Sequence, residues 1–256
     1  MTGNDSTTSI HIVQLYPAEL GITGDRGNVR AIEERVSARG LGRVTTRVGI
    51  GDDLPADVDI IVIGNGPLSA LRGVHADLLA RATALQSFVE AGGTLFAIGG
   101  SAELLGAGID LTDGDAVDGL DLMPYRVSRT RDRRVGYITV DTPDARIVGF
   151  EDHASEWTLA DAAAAYGTVV AGRGSFVRGA GRGEFVRYRN AFAGNVQGPV
   201  LPLNPALADV LVSTVIERRG LTVADPEAGV FDEYAQGARA AIERFIHDKG
   251  FKTIQL

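Results

Sequence analysis

The stretch from Thr94 to Glu103 is the part of the chain best placed to carry chemistry, and its corner position is a glycine. An apolar strand from Leu95 to Ile98 runs into Gly99-Gly100 and then directly into a helix. Hydrolytic enzymes of the α/β class hold a nucleophile on such a strained strand-to-helix turn, beside the backbone N–H groups of the helix start. Gly99 has no side chain that could attack a substrate. The stretch therefore predicts a hydrolase-like fold without its nucleophile.

Two residues, Ser101 and His153, are candidates to replace the missing nucleophile and its base. Ser101 carries a hydroxyl, but it lies two positions beyond Gly99, so its side chain is expected to point away from the site of attack. Serine is also a favoured helix N-cap, and we interpret Ser101 in that role. His153 could act as a displaced base, but we interpret it as a hydrogen-bonded structural histidine.

Alternating strand and helix signals place this corner in a parallel sheet. The predicted strands are 10–15, 44–48, 59–63 and 95–98, and the predicted helices are 28–39 and 76–91. Apolar runs separated by helices indicate a parallel sheet that is covered on both faces. The functional edge of such a sheet lies at the carboxyl ends of its strands. We therefore expect three segments to meet at that edge: Gly24–Asn28, Gly64-Asn65-Gly66 and Gly99-Gly100-Ser101.

The second half of the chain is richer in strand signals. Strands are predicted at 137–140, 167–171 and 184–188. The segment 191–196 leads into Gln197-Gly198-Pro199, which is followed by a helix at 205–219, a connector at 221–229 and a final amphipathic helix at 231–248. The apolar face of the final helix consists of Phe231, Tyr234, Ala238, Ala241, Ile242 and Phe245, which recur at helical spacing. We expect a disordered N-terminus over residues 1–9, one domain over 10–220, and a C-terminal extension over 221–256.

Composition argues against several classes of function. The net charge of −8 and the pI near 5.0 argue against general nucleic-acid binding, which favours a basic surface. The chain has no cysteine, and its four histidines lack the spacing of a metal motif. The N-terminus has neither the basic flank nor the apolar core of a signal peptide, and no apolar run approaches the roughly 20 residues of a membrane helix. We expect a cytoplasmic protein without a membrane span, a metal or another cofactor.

Six short segments carry a family resemblance: Leu15-Tyr16-Pro17, Gly24–Asn28, Ile63–Gly66, Ala97–Gly100, Val148–His153 and Gln197–Pro205. In this order they resemble the class I glutamine amidotransferases of the cobyric-acid-synthase type. Each segment alone is weak, but their common order and separation are specific. The likeness covers roughly residues 10–219 and is greatest to the amidotransferase subunits of lipid II isoglutaminyl synthases, which work beside a Mur-ligase-like subunit in peptidoglycan amidation. It implies a flavodoxin-like α/β fold with a mostly parallel central sheet flanked by helices.

The same resemblance reveals two departures from the family pattern. Family members carry a nucleophilic cysteine where this chain has Gly99, and a base histidine where it has Gln197. In the family, the base keeps the thiol ionised and the thiolate attacks the glutamine carboxamide. Glycine offers no nucleophile, and a glutamine side chain takes up no proton near neutral pH. The resemblance thus implies a degenerate site at Gly99 and Gln197, with no catalytic residue.

The remaining site residues are predicted to bind a ligand. The resemblance makes Gly64-Asn65-Gly66 an oxyanion-binding loop; the alternative is a glycine turn that closes a strand. An arginine contacts the glutamine substrate in family members, and Arg129 or Arg131 is the candidate here. The predicted ligand-binding residues are Gly64, Asn65, Gly66, Gly99, Gly100, Ser101, Arg129, Arg131 and Gln197.

Two groups of arginines are unusual in an acidic chain. The first group is Arg126, Arg129, Arg131, Arg133 and Arg134, and the second is Arg173, Arg178, Arg182, Arg187 and Arg189. Each group could be a solvated face or an anion-binding or docking surface. The final helix could likewise pack on its own domain, or it could bind a partner or a symmetry mate.

Three hypotheses about function remain open from the sequence. The leading hypothesis is an inactive amidotransferase-like subunit that binds, positions or regulates a Mur-ligase-like or other ATP-dependent ligase. The second is an enzyme with a different nucleophile, such as Ser101, or with different chemistry in the same cleft. The third is a sensor that binds a small carboxylate or amide. We predict no glutaminase activity, and association with a partner or with a second copy.

Overall fold

The structure is a computed structural model that describes residues 8–160, 164–176, 182–224, 226 and 229–247. The strands are β1 (Ser9–Leu15), β2 (Gly42–Val48), β3 (Ile60–Ile63), β4 (Thr94–Ile98), β5 (Gly108–Asp110), β6 (Ala116–Asp118), β7 (Tyr125–Asp141), β8 (Arg146–Leu159), β9 (Gly167–Ala171), β10 (Gly183–Glu184), β11 (Val186–Tyr188), β12 (Ala191–Gly194) and β13 (Val196–Gln197). The helices are α1 (Arg26–Ala38), α2 (Leu68–Ala80), α3 (Ala82–Glu90), α4 (Gly100–Leu105), α5 (Val200–Leu203), α6 (Pro205–Arg219) and α7 (Val230–His247).

The central sheet has six strands in the order β11-β12-β4-β3-β1-β2, and every neighbouring pair except β11–β12 is parallel. Its central strands are short apolar runs that are buried on both faces, as parallel strands covered by helices require. Ile60 and Val62 point to one face, against α1 and α6, whereas Ile61 and Ile63 point to the other, against α2, α3 and α4. This architecture confirms the predicted α/β fold, with a mostly parallel central sheet flanked by helices.

A second sheet, largely antiparallel, packs beside the first. The long strand β7 is the central strand of this sheet, because it pairs antiparallel with β8 and β9 and parallel with β5. The strand β7 is longer than predicted, because the predicted strand covered only residues 137–140. The predicted strand at 167–171 is β9.

The predicted strand 184–188 and the segment 191–196 are each divided between two strands, because the chain passes between the two sheets at both places. Phe185 has a positive φ of 60° and separates β10 in the second sheet from β11 in the first. Asn195 separates β12, which pairs with β4, from β13, which pairs with β8. The second crossing places Gln197 in the second sheet, within hydrogen-bond distance of Asn65 at the edge of the central sheet.

One predicted helix is divided in two in the structure, and another has its predicted bounds. The predicted helix 76–91 is two helices, α2 and α3, which meet at Arg81. The Arg81 side chain donates to the Asp77 carboxylate and to the Asp52 carbonyl, and thereby ties the junction to the loop after β2. The helix α6 has its predicted bounds, with Pro205 in its first turn and Gly220 in the left-handed region at its end.

The C-terminal helix α7 spans Val230–His247, close to the predicted 231–248. Residues 1–7, which make up most of the predicted disordered N-terminus, lie outside the described residues, and Ser9 is already the first residue of β1. The predicted boundary between the domain and the C-terminal extension remains a prediction. Among the described helices, none has the length and apolarity needed to cross a bilayer.

Candidate functional site

The corner between β4 and α4 has the strained geometry that the sequence predicts. Gly99 adopts φ 65° and ψ −130°, a conformation that only glycine reaches at low cost. Its N–H donates to the Gly194 carbonyl at 2.8 Å, which fixes the corner to the neighbouring strand β12. The predicted strained turn between strand and helix is thus present at Gly99.

The space beside this corner is filled by the side chain of Asn65. A Cβ atom placed on Gly99 would overlap the Oδ1 and Cγ atoms of Asn65 and would lie 3.0 Å from its Cβ. Asn65 is buried, with 8% of its surface exposed. A side chain at position 99 and the observed conformation of Asn65 therefore exclude each other.

The Asn65 carboxamide forms hydrogen bonds on both sides of the cleft. Its Oδ1 accepts from the backbone N–H of Gly100 at 2.8 Å, and its Nδ2 donates to the Oε1 of Gln197 at 3.2 Å. Gln197 in turn donates from Nε2 to the Asp152 carbonyl at 3.3 Å. The site is thus a bridge of two neutral amides between the corner, the loop after β3 and the second sheet. Neither amide can act as a nucleophile or as a base near neutral pH.

The loop that carries Asn65 is held by Asp25, a residue that the sequence analysis placed in a motif but not in the site. Asp25 Oδ2 accepts from the Asn65 N–H at 3.2 Å and from the Thr23 hydroxyl at 3.1 Å. Burial raises the pKa of Asp25, while these hydrogen bonds lower it. A Cβ at Gly64 would lie 2.7 Å from the Asp25 Cγ, so a larger residue cannot occupy position 64 without a shift.

The three predicted segments therefore lie together at the carboxyl edge of the central sheet. Asp25 contacts Asn65, and Asn65 contacts Gly100. A Cβ at Gly27 would lie 2.9 Å from the Pro199 side chain, so the loop before α1 also packs closely on the segment that follows Gln197. The sequence located these neighbours correctly.

Ser101 is not the helix N-cap, and this part of the prediction is wrong. Gly99 occupies the N-cap position, and Ser101 is the second residue of α4. Its hydroxyl lies 3.1 Å from the carbonyl oxygens of both Ile63 and Ile98, to which it donates. The side chain is buried and points back toward the strands, in agreement with the expectation that it points away from the site of attack.

His153 lies in the second sheet in a buried polar environment. Its Nδ1 is 3.3 Å from the Ser155 hydroxyl, and its Nε2 has no hydrogen-bond partner among the described residues. Burial, assisted by the nearby Arg134 charge, lowers the pKa of His153 to about 3. The imidazole is therefore neutral near pH 7. The hydrogen bond to Ser155 fits the structural role assigned to this histidine.

Of the two candidate ligand-binding arginines, Arg129 has an internal partner. Its guanidinium lies 2.5 Å from the Glu103 carboxylate, which is 1% exposed and belongs to α4. Burial raises the pKa of Glu103, and the Arg129 charge opposes that shift. Arg131 is exposed, in the irregular segment of β7 between Arg129 and Arg134. Neither contacts the Asn65–Gln197 bridge.

Carboxylates pair with most of the other arginines in the two groups. The pairs are Arg126–Asp110, Arg133–Asp152, Arg173–Asp132, Arg187–Asp144 and Arg189–Glu90. Arg134 is fully buried and donates to the carbonyls of Ser155 and Gly174. Arg178 lies outside the described residues. These pairs neutralise much of the charge that an anion-binding surface would need.

Comparison with known protein families shows the family to which this chain belongs. A family model described as the CobB/CobQ-like glutamine amidotransferase domain matches residues 28–201, which is more than half of the chain. The chain belongs to this family. The match includes the loop that carries Asn65, the corner at Gly99 and the segment that carries Gln197.

Two proteins named lipid II isoglutaminyl synthase (glutamine-hydrolyzing) subunit GatD are similar to this CobB/CobQ-like chain. The protein from Streptococcus pneumoniae (strain ATCC BAA-255 / R6) is 28% identical over 214 residues, which cover 82% of each chain. The protein from Staphylococcus aureus (strain N315) is 26% identical over 208 residues, which cover 79% of this chain and 83% of the relative.

A crystal structure of a glutamine amidotransferase from Thermotoga maritima shows the same fold. It superposes with a TM-score of 0.50 at 14% identity and covers 92% of this chain and 94% of its own. Within the CobB/CobQ-like fold of this protein, the two positions that the sequence analysis aligned with a nucleophile and a base, Gly99 and Gln197, lie on either side of Asn65. The sequence indicated both positions. It did not indicate that Asn65 fills the space between them.

Proposed function

We propose that the protein is a catalytically inactive glutamine amidotransferase-like subunit. The observation that carries this proposal is the bridge formed by Asn65 at the corner. The space for a nucleophilic side chain at position 99 holds a carboxamide, and the Gly100 N–H, which could otherwise stabilise an oxyanion, already donates to that carboxamide. Gln197 supplies a neutral amide in place of a base.

The partner in this proposal is a Mur-ligase-like or other ATP-dependent ligase that acts in peptidoglycan amidation in the cytoplasm. Support comes from the two GatD relatives, each of which is named as a subunit of lipid II isoglutaminyl synthase and matches about four fifths of this chain. A subunit that retains the fold but lacks the chemistry would act by binding, positioning or regulating the ligase.

The first test is the release of ammonia from glutamine by the purified protein, alone and with a coexpressed Mur-ligase-like protein from the same source. Loss of a catalytic unit typically lowers the rate on the order of 10⁶-fold, so we expect no signal above the buffer blank. The matched control is Ser101→Ala, which removes the hydroxyl nearest to the corner. Ammonia release that Ser101→Ala abolishes would support the altered-nucleophile hypothesis and refute this one.

The second test is copurification of the protein with that coexpressed ligase. A stable complex supports the role of a subunit, whereas failure to associate, together with an inactive site, leaves no basis for the ligase proposal. Ligation measured with and without this chain then distinguishes a regulatory role from mere binding. In that assay ammonia is supplied directly, because the chain is not expected to generate it.

A second candidate function is a sensor of a small amide or carboxylate. The observation that favours it is the way in which Gly100 and Gln197 hold the Asn65 carboxamide, since an external amide could use the same donor and acceptor. The Asn65→Gly variant would remove the competing side chain. Calorimetry with glutamine and glutamate on the wild-type protein and on this variant tests the idea, and an absence of binding by both would refute it.

A further inference from the structure

A groove of about 800 Å³ lies between the C-terminal helix α7 and the second sheet. Strands β7, β8 and β9 contribute one side of the groove, and α7 contributes the other. The residues that line it are Thr139, Arg146, Val170, Ala171, Gly237, Ala240, Glu243 and Arg244. None of these residues belongs to the Asn65–Gln197 bridge. The volume is in the range of sites that bind small molecules.

The groove exists because α7 presents its smallest side chains there. Gly237 and Ala240 are both exposed, and a Cβ atom placed on Gly237 would meet nothing within 4 Å. On the side of the sheet, Val170 in β9 is 46% exposed, although its side chain is apolar and β-branched. Helix and sheet therefore form two walls without filling the space between them.

Contacts beside the groove hold α7 on its own domain. Asp232 pairs with Arg35 at 2.7 Å, and Arg239 donates to the Arg146 carbonyl at 2.8 Å. Ala235, which lies between these two residues in the helix, is buried. The two walls of the groove are thus joined to each other, and the groove is a feature of the folded chain.

The charges of the groove leave one cation without a partner. Arg146 forms a bidentate pair with the Asp141 carboxylate, with distances of 2.6 and 3.0 Å. Glu243 interacts electrostatically with both Arg146 and Arg239. Among the described residues, the exposed guanidinium of Arg244 has no ion-pair partner. The groove therefore has the charge balance of a site for a single negative charge.

The length of the groove favours a small molecule over a protein segment. Along α7 the lining extends from Gly237 to Arg244, which is about 10 Å at the rise of an α-helix. An extended peptide of that length has about three residues, far too few to bury the roughly 1,200 Å² of a specific protein interface. The small residues Gly237 and Ala240 come first along this wall, and the charged residues Glu243 and Arg244 come last. An occupant with an apolar body and a charged group at one end fits this order.

We propose that this groove binds a small aliphatic carboxylate, with its apolar chain between Ala240 and Val170 and its carboxylate on Arg244. The net charge of −8 argues against an anionic membrane as the source of this ligand, because the protein as a whole is repelled by such a surface. None of the eight lining residues is aromatic, so the groove offers no platform on which a nucleobase could stack. The inference does not depend on the proposed function, because the groove and the Asn65–Gln197 bridge share no residue.

Calorimetric titration of the full chain with octanoate tests the proposal. Octanoate combines one carboxylate with an aliphatic chain, and a ligand of about ten non-hydrogen atoms is expected to bind with a dissociation constant on the order of 0.1 mM. Octanamide has the same chain without the charge and is expected to bind about tenfold more weakly. An absence of saturable octanoate binding, or equal affinity for octanamide, would overturn the proposal.

Two substitutions at the charged end of the groove are expected to have opposite effects on octanoate binding. Arg244→Gln removes the unpaired cation and is expected to weaken binding about tenfold. Glu243→Gln removes the neighbouring negative charge and is expected to strengthen binding about threefold. Arg72→Gln is the matched control, since Arg72 is an exposed arginine of the remote helix α2, and it is expected to leave the affinity unchanged. An affinity that neither groove variant alters would contradict the placement of the carboxylate.

Filling the apolar part of the groove tests where the chain of the ligand lies. Ala240→Phe places a large side chain between α7 and β9 and is expected to abolish detectable octanoate binding. Ala238→Phe makes the same change at an exposed position of α7 that does not line the groove, and is expected to leave binding unchanged. Circular dichroism verifies that both variants are folded. Binding that survives Ala240→Phe would overturn the proposal.

Amide hydrogen exchange distinguishes the groove from the cleft around Asn65. Octanoate is expected to slow exchange in residues 168–171 and 237–244, which form the two walls, and to leave residues 63–66 and 99–103 unchanged. Slower exchange only in the latter two segments would assign the bound carboxylate to the cleft around Asn65. That result would refute the groove as the binding site.

Discussion

Substitution of Gly99 by alanine tests whether the site is held together by Asn65. The added Cβ overlaps the Asn65 carboxamide, so the side chain must leave its position or the corner must shift. At the same time, alanine must adopt φ 65°, which L-residues rarely do. We therefore expect Gly99→Ala to be strongly destabilising although it adds a single methyl group.

Two contributions set the expected magnitude. Backbone strain at a positive φ costs about 1–3 kcal/mol. Displacement of Asn65 leaves the buried Gly100 N–H without its acceptor, which costs about 1–3 kcal/mol more. Together they predict a loss of about 2–6 kcal/mol, or a decrease in Tm of roughly 5–20 °C for a chain of this size.

Thermal and urea unfolding of a double-mutant cycle separates the two contributions. Asn65→Gly removes the overlap, so Gly99→Ala in that background is expected to cost only the backbone strain. The interaction energy between the two substitutions is then on the order of 1–3 kcal/mol. Gly73→Ala is the control, because position 73 lies in α2 with nothing within 4 Å of an added Cβ. There, alanine is expected to stabilise the helix by about 0.5–1 kcal/mol.

Additive effects of Gly99→Ala and Asn65→Gly would refute this interpretation of the site. Additivity would mean that Asn65 is free to move, and that the space beside Gly99 remains open to a side chain or a ligand. A Gly99→Ala variant as stable as the wild type would refute it as well, since neither strain nor overlap would then matter.

Two further predictions concern buried charge. Arg129→Ala is expected to destabilise the protein by about 3–5 kcal/mol in urea unfolding, because it leaves the Glu103 carboxylate buried without its partner, whereas Arg131→Ala at an exposed position is expected to change stability by less than about 0.5 kcal/mol. The pKa of His153 is lowered to about 3 in the folded state, so its neutral form contributes stability above the unfolded pKa of 6.5, and that contribution is lost as the pH falls from 6.5 toward 3. A His153→Gln variant is therefore expected to show a flatter dependence of stability on pH in that window, and parallel curves for the two proteins would contradict the assignment.

The sequence predicted the central sheet well because the relevant signals are local. The strands β3 and β4 are apolar runs bounded by glycine or aspartate, and β1 is a mostly apolar run, so their positions in the chain follow from local composition. The second sheet was harder to predict. The strand β7 contains a run of arginines, and its conformation depends on pairing with β8, β9 and β5 rather than on its own residues.

The same distinction separates what was predicted in the site from what was not. Gly99 was assigned to a strained corner from its place between an apolar strand and a helix, which is local information. The partners of Arg129 and Asn65 were not predicted, because Glu103 and Gln197 come from distant parts of the chain. Burial of Arg134 is a further example, since its carbonyl acceptors at Ser155 and Gly174 become neighbours only in the folded sheet.

The arrangement around Asn65 also explains why the residues at positions 99 and 197 depend on each other. Asn65 fills the corner only if position 99 has no side chain, and its Nδ2 group needs an acceptor across the cleft. Gln197 provides that acceptor, while its own amide group donates to the Asp152 carbonyl. A histidine at position 197 can offer one acceptor nitrogen in its neutral form, but it loses that acceptor when it is protonated. The present residues thus form a mutually dependent set in which each buried polar group has a partner. A side chain introduced at position 99 alone is therefore expected to break that set, because its Cβ would overlap the Asn65 carboxamide.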